Sequence, residues 1–256
     1  MNYAAWAEWY DVVYATEGDA EVDFYVGLAR KYGGPVLEIG AGTGRIAIPT
    51  ASAGIDVLGI DLSPEMLRVA RQRAASTRPV GKIEFATGDM REFELDRRFK
   101  LVTIPARTLL LATSAESQMA TLANAARHVA PGGILALNVF VPDPQMLADT
   151  NRSPFFWDDV TNPANGRRCL LWALNRFDTS EQLNEGLQII EELGDHGEVL
   201  RKAYLDVLLR YIYPSELRLM LEKAGLEIVD EYGDFFGSPF EFQSSEQVCV
   251  CRVRGS

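Results

Sequence analysis

Hydrophobic positions follow two rhythms along the chain, and the switches between them predict the elements. In residues 1–31, Trp6, Tyr10, Val13 and Tyr14 recur at intervals of three and four, the spacing of one helix face. Glu17-Gly18-Asp19 interrupts the pattern, and Phe24, Leu28 and Ala29 mark a second helix. From Gly34 onward the order becomes strand, turn, helix, repeated. Residues 35–39 read as a strand, 45–53 as a helix closed by Gly54, and 56–60 as the next strand. Ser63-Pro64-Glu65 has the residue types of a helix start: a capping hydroxyl, a proline at the first helical position and an acid in the first turn. Segments 83–86 and 101–104 are further strands. Thr113-Ser114-Ala115-Glu116 reads as a capping box ahead of a helix reaching His128, and Pro131-Gly132-Gly133 as a turn into the strand 134–140. Short strands alternating with helices predict an α/β fold, a parallel sheet with helices on both faces.

The alternation stops after Pro142. Residues 142–165 are rich in Pro, Asn and Asp and read as a linker. Three extended segments follow, 168–177, 187–192 and 199–209, with Asp195-His196-Gly197 as a turn between the last two. They predict a small antiparallel β insertion packed over the main sheet. A last helix, 214–224, places Leu217, Met220, Leu221 and Ala224 on one face ahead of Gly225. Strands at 226–232 and 247–253 complete the sheet.

Charge narrows the partners. The chain has 25 Lys plus Arg against 36 Asp plus Glu, a net charge of -11. Its basic residues form no run, so nucleic acid and anionic membranes are not expected partners. The most apolar run, 134–141, is too short to cross a bilayer. The first residues lack a basic stretch followed by an apolar one, so no secretion signal is expected there. Cys169, Cys249 and Cys251 are an odd number of cysteines and suit a reducing cytoplasm. With two distant histidines they complete no metal-ligand cluster, and no metal is expected.

The candidate chemistry begins at Glu38-Ile39-Gly40-Ala41-Gly42-Thr43-Gly44, where a strand runs into a turn with glycine at alternate positions. Such a turn lets a ligand approach the backbone beside a helix N-terminus. The next strand ends in Asp61, which is placed to accept hydrogen bonds from both hydroxyls of a ribose. Together they favour a nucleoside cofactor. The third glycine comes one position early for a dinucleotide fingerprint, with Arg45 standing where glycine is expected, and no Gly-Lys-Ser/Thr loop is present for a triphosphate.

At these residues the sequence resembles the class I S-adenosylmethionine-dependent methyltransferases of the small-molecule type. Segment 38–44 looks like their first motif, Asp61 their ribose-binding acid, Gly88-Asp89-Met90 their adenine-edge motif, and residues 128–133 the turn before their fifth strand. The resemblance implies a Rossmann-like seven-stranded sheet with its last strand antiparallel. It divides the chain into an N-terminal helical lid (1–31), a cofactor-binding core (32–142), the linker and β insertion over the active site (143–212) and the final helix and strands (213–256). S-adenosyl-L-methionine is the implied cofactor, with Gly40, Ala41 and Gly42 under its methionine part and Glu38 at its amino group. Leu62 and Met66 would pack on the adenine face, Asp89 would accept from the adenine amino group, and Tyr10 would stand over the carboxylate. Met90 and Ile104 complete the expected cofactor contacts.

The segment after the fourth strand, Ile104-Pro105-Ala106-Arg107, lacks the Asn/Asp-Pro-Pro-Tyr signature of members that methylate nucleobases or glutamine. Arg107 is a candidate for holding a substrate anion or, equally, for an internal ion pair with Glu38, Asp61 or Asp89. Neither His128 nor His196 falls near the ligand edge, which leaves Tyr10, Tyr14, Tyr211, Asp234 and Glu241 as candidate bases, with Tyr14 and Arg107 as the expected catalytic pair. Segment 233–245 reads as an apolar lid. Tyr10, Tyr14, Trp157, Trp172, Tyr211 and Phe235 are candidate walls, with Tyr211 and Phe235 facing substrate. The expected activity is methyl transfer to N or O of a small molecule by in-line displacement. The rival readings are a nucleoside-binding scaffold or sensor and an NAD-type oxidoreductase. Oligomeric state is left open.

Overall fold

A computed structural model describes residues 3–15, 19–148 and 153–255. Glu17 and Gly18 of the predicted interhelix break, and residues 149–152 of the predicted linker, lie outside the described residues. Helices α1 (Tyr3–Tyr14) and α2 (Ala20–Tyr32) precede the first strand, β1 (Val36–Ile39). Helix α3 (Ala47–Ser52), β2 (Val57–Asp61), α4 (Pro64–Thr77), β3 (Ile83–Thr87) and β4 (Phe99–Ile104) follow, then α5 (Ala115–Arg127) and β5 (Val129–Phe140). After the second sheet come α7 (Pro214–Lys223), β10 (Leu226–Tyr232) and β11 (Glu246–Val253).

These strands form a seven-stranded sheet in the order β10-β11-β5-β4-β1-β2-β3. β11 is antiparallel to both neighbours, and β1 to β5 run parallel. The chain first steps outward from β1 through β2 to β3, then returns to β4 on the other side of β1. That reversal opens a crevice beyond the C-terminal ends of β1 and β4, the place where open α/β sheets bind ligands. β1 is buried along its whole length, as a central strand covered on both faces must be. One face packs Leu122 and Ala125 of α5 and Leu217 and Leu221 of α7; the other packs Tyr25, Leu28 and Ala29 of α2 and Ala47 and Ala51 of α3.

The second sheet has four antiparallel strands, β6 (Phe155–Thr161), β7 (Arg168–Asp178), β8 (Leu183–Leu193) and β9 (Val199–Arg210). Its fourth strand corrects the sequence reading, because β6 and a short helix α6 (Pro144–Ala148) both lie inside the segment read as linker. A register shift between Phe156 and Asp158 breaks the alternation of β6 and hides it. Cys169, Leu171, Ile190 and Leu205 of this sheet pack against Trp6, Trp9, Val12 and Val13 of α1. Helix α1 thereby bridges the two sheets. Trp6 donates to the Asp206 carbonyl of β9 at 2.9 Å, while Asp11 accepts from Arg73 of α4 at 2.8 Å and from Thr43 at 3.1 Å.

Two local expectations shift. The α5 cap is Ser114 accepting from the Ser117 N–H at 3.1 Å, one residue later than the predicted box. Pro131-Gly132-Gly133 lies within β5 as a bulge, since pairing with β4 jumps from Phe99↔Val129 to Leu101↔Ile134.

Candidate active site

The turn after β1 is shaped by what it must pass. Gly40 (φ +76°) lies against Thr108 so closely that a Cβ there would sit 2.3 Å from the Thr108 methyl. This contact joins the loops after β1 and β4 at the switch point. Gly42 (φ +54°) faces the Met66 methyl, 3.3 Å from where a Cβ would stand, and the Tyr10 ring at 3.8 Å. Asp61 closes the turn: one oxygen accepts the Gly42 N–H and the other the Ser63 N–H, both at 2.8 Å. Burial raises the pKa of Asp61 against the opposing pull of these N–H groups. Each carboxylate oxygen has a further lone pair to offer.

A cavity of about 440 Å³ opens above this turn. Gly40, Gly42, Asp61, Leu62 and Met66 line its base; Gly88, Asp89 and Met90 line one side, and Tyr10, Tyr14 and Arg107 face it from the other elements. Tyr10 and Tyr14 stack with ring centroids 4.4 Å apart. Burial holds the Tyr10 hydroxyl well above its ordinary pKa, so it is a donor at neutral pH. The roof comes from the second sheet: Trp157, Asn175, Asn184, Gln188, Val207 and Leu209.

Other expected contacts stand behind the wall. Ile104 is fully buried in β4, and Ala41 is buried below the turn, where a Cβ on Gly59 would come within 2.7 Å of it. Glu38 is buried in β1, and desolvation pushes its pKa up to about 8, opposed by Arg45 and the Ala47 N–H.

Several candidates do not reach the cavity. Tyr211 is fully buried beside Phe177 and Tyr213, its hydroxyl without a partner and its pKa pushed up to about 12 by burial. Phe235 packs edge-on against Phe24. Neither lines the cavity, contrary to the expectation that both wall it. Trp172 points to the other face of its sheet and donates to Glu191 at 3.1 Å. The segment expected as a lid contributes no lining residue: Asp234 accepts from the N–H groups of Phe236 and Ser238 within its own loop, and Glu241 also lies outside the lining. His128 packs on Phe93, and neither histidine lines the cavity.

Arg107 finds a partner other than the three anticipated. Its guanidinium pairs with Glu246 of β11 at 2.8 Å, whose other oxygen accepts from Asn138 at 2.7 Å, and Asn138 in turn accepts from the Tyr25 hydroxyl at 2.8 Å. Ala106 and Arg107 take φ +54° and +58°, two successive non-glycine residues in the left-handed region. Such strain collects where surrounding structure holds the chain in place for function. The Ala106 N–H is held by Glu21 at 2.8 Å. Asp89 is engaged by Arg91, which lowers its pKa.

Sequence reasoning missed three features. Glu21, buried in α2, forms an ion pair with Arg45, whose guanidinium lies 4.7 Å from the Tyr14 ring centroid and keeps Nε and Nη1 without partners. Glu246 was invisible as a partner because it lies 139 positions from Arg107. The roof amides left one signal: polar residues at inward positions of an alternating strand.

Residues 36–133 match the methyltransferase domain family. The cypemycin N-terminal methyltransferase of a Streptomyces species is 29% identical over 218 residues, covering 85% of this chain and 82% of that protein. The dTDP-3-amino-3,6-dideoxy-alpha-D-glucopyranose N,N-dimethyltransferase of Streptomyces fradiae is 33% identical over 138 residues, 51% of each protein. Among solved structures, the CcbJ methyltransferase of Streptomyces caelestis aligns with a TM-score of 0.77 at 28% identity, covering 92% of this chain and 95% of that one.

Proposed function

We propose that this chain, which belongs to the class I S-adenosylmethionine-dependent methyltransferases, methylates nitrogen on a small amine held between the glycine turn and the second sheet. S-adenosyl-L-methionine is the cofactor of that family, and the residues present fit it. The left-handed glycines leave the turn open to a ligand, Asp61 offers two oxygens to paired ribose hydroxyls, and Leu62 and Met66 offer an apolar face for a base. When bound, the cofactor would supply an electrophilic sulfonium methyl to which an amine nitrogen could bond as the C–S bond breaks and the neutral thioether leaves, the product ammonium then giving its proton to solvent.

The chain's part is positioning and exclusion of water. Tyr10 stands over the turn, Tyr14 walls the cavity and backs Arg45, and Arg107 holds the β4 loop through Glu246. Such positioning is worth roughly 7–11 kcal/mol of barrier in favourable systems. In this reading residues 1–31 cover the site, 32–142 hold the cofactor, 143–212 close over substrate and 213–256 complete the sheet. Three buried free thiols suit a reducing compartment and support a cytoplasmic enzyme.

One observation carries the choice of nitrogen. Of the lining carboxylates, Asp89 is paired with Arg91 and the remaining lone pairs of Asp61 are taken by the ribose in this reading, and both histidines stand outside the lining. A hydroxyl acceptor needs a base near neutral pH, whereas a neutral amine attacks with its own lone pair. The names of two relatives, an N-terminal methyltransferase and an N,N-dimethyltransferase, support the same choice. The test is incubation of purified protein with S-adenosylmethionine and matched panels of amines, alcohols, phenols and carboxylic acids, read by thioether release and by the product's gain of a methyl mass. Transfer confined to amines is expected; equal transfer to hydroxyls would overturn the assignment.

A further inference from the structure

The inward face of the second sheet changes character along its strands. At one end Cys169, Leu171, Ile190 and Leu205 pack on α1. Farther along the same face, where period-two alternation calls for apolar side chains, stand Asn175, Asn184 and Gln188. All three line the cavity. Register explains their convergence. Gly186 lies directly opposite Asn175, with Asn184 two residues before it and Gln188 two after. A Cβ on Gly186 would stand 2.5 Å from a Val207 methyl and 3.3 Å from the Asn175 oxygen, so glycine there lets Val207 and Asn175 close in and gathers the three amides around one short stretch of roof.

Their hydrogen bonding is incomplete. Asn184 donates to the Asn175 oxygen at 3.2 Å, yet its own carbonyl oxygen and that of Gln188 are buried with no partner. The outward face of the sheet differs: Arg176 pairs with Glu185, and Lys202 with Glu191, each at 2.8 Å. A buried acceptor left unpaired is a stability loss that an apolar residue of similar size avoids. Two such acceptors on a cavity roof, beside Trp157, Val207 and Leu209, are the complement of a ligand that presents donors on an otherwise apolar ring. An anionic ligand would meet two carbonyl oxygens and be repelled.

We infer that Asn175, Asn184 and Gln188 form a substrate-recognition subsite for hydroxylated amines, taking hydrogen bonds from hydroxyls beside the nitrogen to be methylated. This rests on the methyltransferase reading above and adds the substrate class and the residues that select it. Asn175 acts as a positioning residue by holding the Asn184 amide, while Asn184 and Gln188 contact substrate.

The test uses the full-length protein and a panel of amino sugars, aminocyclitols and amino alcohols, each paired with the analogue lacking its hydroxyls. Asn184→Leu and Gln188→Leu are compared with wild type, alongside Asn184→Ala and Gln188→Ala, which add no volume to the roof. Wild type should favour the hydroxylated partner by about tenfold or more in kcat/KM. Each variant should erase that preference chiefly through KM, with S-adenosylhomocysteine affinity within about twofold of wild type and melting temperature unchanged or higher. A lower melting temperature with the preference intact would make the amides structural and overturn the inference. Equal use of both members of each pair, or transfer only to unhydroxylated amines or to none of the panel by protein that binds S-adenosylhomocysteine, would also overturn it. Failure of folded protein to bind S-adenosylhomocysteine at all would instead defeat the methyltransferase reading beneath it.

Discussion

Glu38 lies in the most enclosed strand of the sheet, and its protonation state is testable without a substrate. Desolvation raises its pKa from 4.5 to about 8, so in the folded protein it is largely neutral near pH 7, while in the unfolded chain it ionises. Folding therefore takes up a proton between these two values. The contribution to stability is full below the unfolded pKa and is lost as pH rises toward 8, levelling off once the folded group also ionises. Between about pH 5.5 and pH 8.5 the loss from this one group amounts to roughly 3 kcal/mol. Glu38→Gln replaces a neutral acid with a neutral amide of the same shape and removes the linkage. Urea unfolding of wild type and variant across that range should give curves that diverge by roughly that amount, the variant gaining on wild type as pH rises. Parallel profiles would show that Glu38 is ionised throughout, stabilised by Arg45, and would refute the desolvation argument.

Further outcomes follow from the same geometry. If Glu38 meets the cofactor's ammonium, S-adenosylhomocysteine binding near pH 7 should release up to about one proton, read calorimetrically in buffers of different ionisation enthalpy; no buffer dependence would separate the two groups. Asp61→Ala should weaken S-adenosylhomocysteine binding on the order of 100-fold while the protein stays folded, and unchanged affinity would remove the ribose role. Gly40→Ala should cost about 2–3 kcal/mol through collision with Thr108, whereas Gly132→Ala, left-handed but in open space, should cost about 1 kcal/mol; equal costs would show the collision is relieved. Arg107→Ala should lower stability by about 1–3 kcal/mol by leaving Glu246 without its cation, with cofactor affinity unchanged; lost turnover at unchanged stability would restore a direct role toward substrate.

Much of the fold was legible because its cues are local. The strand before Gly40, the Ser63 cap and the Leu217 stripe each declare themselves within a few residues. The carbonyl-side edge of the sheet, where Gly42, Asp61 and Asp89 gather, follows from strand order once the strands are found. What escaped was set by distance or by broken rhythm. The carboxylate that balances Arg107 comes from the last strand. β6 is masked by its bulge, and the start of β8 by Asn184 and Gly186 sitting where the pattern requires apolar bulk. Tyr211 and Phe235 were natural choices for walls, since an aromatic reads alike whether it faces a ligand or a neighbouring ring; only packing on Tyr213 and Phe24 distinguishes them.

The second sheet grips α1 with one end of its inner face and presents its three amides with the other. Anchorage and discrimination thus sit on the same three strands yet touch different partners. Exchanging residues around Gly186 could retune which guests are accepted while the tryptophans of α1 keep the whole flap docked, so this chain carries a modular route to altered selectivity that leaves its scaffold undisturbed.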